Sequence, residues 1–140
     1  MTATPFISSI LLASTDPGRL REWYQRAFGV ATVDGFLGFG EVGMLIVPGD
    51  DVQPRTQEPG RVIINVNVPD AKAAATHLDS MGVSWVAELE YREPDGLWFA
   101  TAHDPDGNYV QIIEVTEAYL TARRERERER ERERAAAATR

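Results

Sequence analysis

The sequence predicts an α+β domain built from two tandem βαβββ modules. Two observations carry that prediction: two stretches share the same punctuation at nearly the same spacing, and three strand-like runs follow each of them. In the first stretch, the apolar residues 7–13 lead to Asp16-Pro17, a helical segment and Phe28-Gly29-Val30. In the second, residues 62–68 lead to Pro69-Asp70, a helical segment and Met81-Gly82-Val83. Each Asp is suited to cap a helix N-terminus, and each Gly to take the left-handed conformation that ends one. The Asp-to-Gly distance is 13 residues in one copy and 12 in the other.

Taken in order, the first helix opens on Pro17, which suits the first helical position. Leu20, Trp23, Tyr24, Ala27 and Phe28 then recur at i, i+3, i+4, i+7 and i+8, one apolar stripe, so Trp23 is expected to pack in the core. Short, Gly-rich strand runs follow at 31–33, 36–39 and 42–47. Residues 48–60 hold three Pro and two Gly and read as a linker. The second helix is Ala-rich, with Ala71, Ala74, Ala75, Leu78 and Met81 on its buried side and His77 off that stripe, toward solvent. Strand runs at 84–88, 97–102 and 109–115 complete the second module. The last two are joined by Asp104-Pro105-Asp106-Gly107-Asn108, with Pro and Asp-Gly in turn order, a hairpin signal. The organisation is thus one domain over residues 1–116, with modules at about 6–49 and 61–116 and the linker at 48–60.

Residues 117–140 form an Arg/Glu-rich tail, expected to be a solvated helix or a frayed segment. Alternation of Arg and Glu sets opposite charges at i,i+3 but like charges at i,i+4, so electrostatics alone make such a helix marginal. Arg, Glu and Ala nevertheless have high helix propensity, and Thr116 is placed to cap. The alternative use of the tail is pairing with a charged helix of a partner.

Bulk composition narrows the functional classes. Of the 140 residues 43% are hydrophobic and 9% aromatic, enough for a packed core. Cysteine is absent, which removes disulfides, zinc-thiolate sites, iron–sulfur clusters and cysteine nucleophiles together. No apolar run approaches the roughly 20 residues of a membrane helix. The early apolar run at 6–13 has no basic residue before it and breaks at Asp16-Pro17-Gly18, so a cytoplasmic location is expected. Eight Arg and five Glu stand at or after position 123, which leaves seven basic and seventeen acidic residues and a charge of −10 in residues 1–122. Such a body repels nucleic acid and anionic membranes and favours neutral or cationic partners. The Gly35, Gly38, Gly40 and Gly43 set lies between short strands and opens no helix, so it is no phosphate loop. No Ser stands in a nucleophile-elbow context.

With the paired units, the Asp16…Trp23-Tyr24…Phe28-Gly29 run and the Asp104-Pro105-Asp106-Gly107-Asn108 turn on the page, the chain over about residues 6–116 resembles the vicinal oxygen chelate superfamily. That group includes glyoxalase I, extradiol dioxygenases, fosfomycin-modifying enzymes and bleomycin-binding resistance proteins. The resemblance implies a half-open β-barrel around a cavity, and a homodimer. In the enzyme branches, His or carboxylate side chains at four strand positions hold a divalent metal and leave room for two substrate oxygens. Aligned seven residues before each capping Asp, two of those positions fall here on Ser9 and Ile63. The last falls three residues after the turn, on Gln111, and the fourth-strand position near Ile46. Isoleucine has no donor, and neutral Ser and Gln lack the charge that retains such an ion, so no metal and no cofactor is expected.

Strand alternation then gives the cavity face, with Gln111 taken as inward. It holds Tyr109, Gln111 and Ile113 on the last strand, Ser9, Leu11 and Ala13 on the first, Ile63, Asn65 and Asn67 on the fifth, and Trp98 and Ala100 on the seventh. Glu114 points the other way. An apolar and aromatic wall carrying a few amides and a hydroxyl suits a small molecule, and His103 stands at the rim. The ligand-binding set is therefore Ser9, Leu11, Ile63, Asn65, Asn67, Trp98, His103, Tyr109 and Gln111, with no catalytic residue assigned. Two functional classes stay open. One is a metal-free protein that binds an aromatic or cationic organic molecule, as in antibiotic sequestration, stacking it on Trp98 and Tyr109. The other is an enzyme of the same superfamily (a lyase, isomerase or dioxygenase-like protein) using an unusual metal site or acid–base chemistry by His103, Tyr109 or a carboxylate.

Overall fold

The computed structural model describes residues 3–93 and 96–139; Arg140, counted in the tail by sequence, lies outside them. The elements run β1 (Ser9–Ser14), α1 (Pro17–Phe28), β2 (Thr32–Val33), β3 (Phe36–Phe39), β4 (Val42–Pro48), β5 (Ile64–Asn67), α2 (Ala71–Ser80), β6 (Trp85–Arg92), β7 (Leu97–His103), β8 (Tyr109–Val115) and α3 (Glu117–Ala138). Two βαβββ modules follow one another, as the repeat predicts. Each forms a four-stranded sheet of the same topology, β1-β4-β3-β2 and β5-β8-β7-β6. The first strand of each module pairs in parallel with its last, and the remaining pairs are antiparallel. The described strands form no closed barrel, consistent with the half-open arrangement.

The punctuation acts as its chemistry requires. The Asp16 carboxylate accepts from the Arg19 N–H at 3.2 Å, and Asp70 accepts from the Ala73 N–H at 3.0 Å. Gly29 ends α1 at φ 62° and donates its N–H to the Gln25 carbonyl, while Gly82 follows α2 at φ 77°. Glu114, directed away from the Gln111 face, accepts from the Ala71 N–H at 2.7 Å and so ties β8 to the first turn of α2. Its charge there also complements the positive end of the helix dipole. His77 is exposed, as its place off the stripe implies, and its Nε2 lies 2.7 Å from the Arg26 carbonyl at the end of α1. Thr116 caps α3 by accepting from the Tyr119 N–H, and its hydroxyl donates to the Gly96 carbonyl. Gly96 has φ 73°, and a Cβ there would lie 2.6 Å from the Thr116 oxygen, so the residue must be glycine.

Apolar burial binds the modules into one body. Leu20 and Tyr24 of α1 pack with Leu37, Met44 and Ile46 of the first sheet and with Val110 of the second. Ala27, from the same helix, packs with Leu78 of α2 and with Ala100 and Ile112. α1 therefore touches the helix-facing side of both sheets. Trp23 stacks edge-on against Tyr24 at 4.9 Å and lies beside both clusters, the packing role its stripe position implies. A polar clasp crosses the same boundary: the Tyr24 hydroxyl donates to Asp104 Oδ2 at 2.7 Å. The other donors to Asp104 are the Asp106 and Asn108 N–H groups and Asn108 Nδ2. Burial raises the Asp104 carboxyl above its ordinary range, and these hydrogen bonds oppose the rise. Burial, followed by the neighbouring Asp104 charge, raises the Tyr24 phenol as well. No described helix is long and apolar enough to cross a membrane.

Candidate functional site

Register shows which expected site residues share a face, because directly paired residues project on the same side of a sheet. In the second sheet Gln111 pairs with Asn65 and Thr101, Tyr109 with His103, and Ile113 with Asn67 and Phe99. All of these face away from α2. Gln111 Nε2 donates to Thr101 Oγ1 at 3.1 Å, the His103 and Tyr109 rings meet edge to face at 5.3 Å, and His103 Nδ1 lies 3.1 Å from the Gly107 carbonyl. Ile63 precedes β5 and is 46% exposed. In the first sheet Ser9, Leu11 and Ala13 pair with Gly43, Leu45 and Val47, again away from the helix, and Leu11 is 62% exposed. None of these residues belongs to either core cluster, although Phe99 and Thr101 are buried.

Two expectations need correction. Trp98 does not share the Gln111 face: it pairs with Glu114, one step out of phase. Its ring packs instead under the Lys72 ammonium of α2, 4.6 Å from the centroid, and against Tyr91 at 5.2 Å. Ala100 is out of phase likewise, fully buried in the second core. The reason is that β7 is apolar or small on both faces, so its sequence carries no alternation to read. The fourth-strand position also shifts. Ile46 is 2% exposed in the first core, and the neighbour that faces outward is Leu45, paired with Leu11.

A cleft of about 560 Å³ lies between the first sheet and the free edge of β5. Ile10, Phe28, Phe39 and Met44 form one wall, and Ile64 through Pro69 form the other. Both phases of β5 reach it because β5 pairs only with β8 and its second edge carries no strand. Asn65 and Asn67 are thus the two expected contacts that reach this cleft. Phe28 and Phe39 are wall residues that the sequence places on the α1 stripe and in a strand run, and Val30, which follows the helix-ending Gly29, is a third. Nothing in periodicity separates a core aromatic from one at the core's edge. A second cleft, about 400 Å³, lies between the linker and the Asp104–Asn108 turn.

The side chains at the aligned ligand positions are now Ser9, Leu45, Ile63 and Gln111, and they do not fit a divalent metal. Two have no donor atom, and neither of the others is charged. Among the described residues no group of three His, Asp or Glu side chains converges so as to hold an ion.

Comparison with known proteins follows the same line. The model of the Glyoxalase/Bleomycin resistance protein/Dioxygenase superfamily matches residues 6–112. No curated protein sequence matches significantly. Among solved structures, TioX from Micromonospora sp. ML1 superposes with a TM-score of 0.64 at 19% identity, over 80% of this chain and 100% of its own. A glyoxalase/bleomycin resistance protein/dioxygenase family enzyme from Burkholderia phytofirmans PsJN gives 0.64 at 14% identity, over 78% of this chain and 98% of its own. Lactoylglutathione lyase from Agrobacterium tumefaciens gives 0.59 at 18% identity, over 81% and 96%. At these identities the likeness is one of fold.

Proposed function

The chain belongs to the glyoxalase/bleomycin resistance protein/dioxygenase superfamily, and from that premise we propose that it is a metal-independent member that binds and sequesters a small, largely apolar or aromatic organic molecule. The observation that carries the reading is the donor set: Ser9, Leu45, Ile63 and Gln111 stand where the enzyme branches place ligating side chains. The binding surface is the cleft walled by Phe28, Phe39 and Met44, with the Asn65 and Asn67 amides to orient a polar group. Its volume suits a drug-sized ligand. With Trp98 packed on α2, aromatic stacking falls to Phe28 and Phe39 instead.

A homodimer belongs to this proposal. β1 is an uncharged edge strand, and Phe6, Ile7, Leu11, Val62 and Ile63 are exposed around it and before β5. Such an apolar edge invites a second copy, which would close the outer faces over Gln111 and Leu11. Nucleic acid and anionic membranes are not expected partners, given the acidic body.

The test combines elemental analysis, titration with Ni(II), Fe(II), Mn(II) and Zn(II), and a fluorescence screen of aromatic compounds. Trp23 lies against Phe28 and serves as the reporter. We expect no stoichiometric metal, saturable quenching by an aromatic compound, recovery of the compound intact, and weaker quenching in Phe39→Ala. One tightly held metal ion, or chemical conversion of the bound compound, would replace sequestration by catalysis.

A further inference from the structure

The second cleft differs in kind from the first. Its floor is apolar, from Leu12, Ala13 and Val52, while its rim carries the side chains of the linker and of the Asp104–Asn108 turn. Asp106 lines it and is 7% exposed as a residue. Among the described residues its carboxylate has neither a hydrogen bond nor an ion pair; only its backbone is engaged, donating to Asp104 and accepting from Thr56. Among the described residues no fully buried side-chain oxygen lacks a partner, so the carboxylate oxygens of Asp106 keep contact with solvent, and Asp106 is one of the residues that line this cleft. A carboxylate with no protein partner, at the edge of a cleft, is free to accept from a cationic group that enters it.

Some of the other polar groups at the rim are already engaged. Asn108 donates one amide N–H to Asp104 Oδ2, and its carbonyl oxygen remains as an acceptor. Gln57 likewise gives its Nε2 to the Arg55 carbonyl. Arg61 is the cation that lines this cleft, and Glu58 holds it in a two-point ion pair at 3.0 and 3.1 Å. Arg55 lies over Gly107 on the neighbouring face and makes no ion pair with Asp106. A single carboxylate cannot retain a divalent ion, and 400 Å³ is far more than a bare ion fills.

We propose that this cleft is a second binding site, for a small organic molecule bearing an ammonium or guanidinium group, with Asp106 as its counter-ion, the Asn108 and Gln57 carbonyl oxygens as further acceptors and Leu12, Ala13 and Val52 under its apolar part. It stands apart from the aromatic cleft and does not depend on what that cleft binds. The linker is held over the turn by the Thr56 N–H, which donates to the Asp106 carbonyl at 2.9 Å, so the site is preformed.

The experiment is an amide-resolved NMR titration of the full chain with phenethylammonium and with 2-phenylethanol, its neutral counterpart of the same shape. The ammonium should move the Thr56, Asp106, Gly107 and Asn108 amides saturably, and the alcohol should bind at least tenfold more weakly. Asp106→Asn keeps the shape and should lose most of that preference. Glu58→Gln, at an exposed position, frees Arg61 to compete for Asp106 and should weaken the ammonium several-fold without touching Asp106 itself. Equal binding of amine and alcohol, unchanged affinity in both variants, shifts centred on Phe39 and Asn65, or tight binding of Ca(II) at the same amides would each overturn the proposal.

Discussion

Replacing Tyr24 by phenylalanine removes one oxygen atom from a helix stripe, yet it should loosen the joint between the modules. The lost hydroxyl is one of four donors to a buried carboxylate. A hydrogen bond to a charged group in such a setting is worth about 1.5–3 kcal/mol. Urea unfolding of Tyr24→Phe at neutral pH should show a loss of that size. The loss should shrink with acid. Burial sets the folded pKa of Asp104 above its ordinary 3.8, so this group's stabilising contribution is full below 3.8 and is lost as pH rises through the folded value. The Tyr24 hydroxyl acts against that trend by favouring the carboxylate, and it has less to favour once Asp104 takes up its proton. A cost that stays constant down to the ordinary Asp range would mean the hydroxyl does not act through Asp104. Leu20, fully buried in the same cluster, sets a comparison: Leu20→Ala should cost about 2–5 kcal/mol at any pH. At this scale the sequence shows which residues are apolar and periodic. It does not show that Tyr24 and Asp104, 80 positions apart, are partners.

Elements were legible wherever local chemistry decides them. Capping Asp, left-handed Gly and an apolar stripe locate α1 and α2 closely, because each acts within a turn of its own position. Strand phase was legible in β8, where Val110 and Ile112 are buried while Gln111 is not, and silent in β7, where four successive residues are buried. The edge strand β1 yields a prediction of its own. Leu11→Glu alters an exposed side chain and should change stability by no more than about 0.5 kcal/mol. If the proposed homodimer forms through β1, sedimentation should nevertheless show it dissociating; an unchanged assembly would exclude β1 from the contact. α3 is the opposite case. It has no buried residue, and its Arg123–Glu127 ion pair at 3.3 Å exists because the doubled Arg123-Arg124 breaks the alternation and sets opposite charges four apart. Truncation after Ala122 spares the half-buried Tyr119 and Leu120. It should remove the helical circular dichroism of the segment while leaving Tm and oligomer size unchanged. A smaller assembly after truncation would assign the tail to the partner contact.

For the molecule as a whole, the repeat was readable because both copies keep the same punctuation, and the two sheets keep the same strand order. The arrangement of the modules was not readable, since it rests on contacts between residues that share no local pattern. The repeat is also imperfect at one decisive place. Eight residues after each capping Asp stands a buried residue, Tyr24 in the first module and Leu78 in the second. Where the second module turns through Asp104, the first turns through Gly40 and Glu41 between β3 and β4. An ancestor assembled from two identical half-length chains would carry two such clasps or none, but this protein carries one. A fusion of either half with a duplicate of itself would lack either the phenol or the carboxylate. A circular permutant opened within residues 48–60 would keep both. The two halves are therefore complementary rather than interchangeable at this contact.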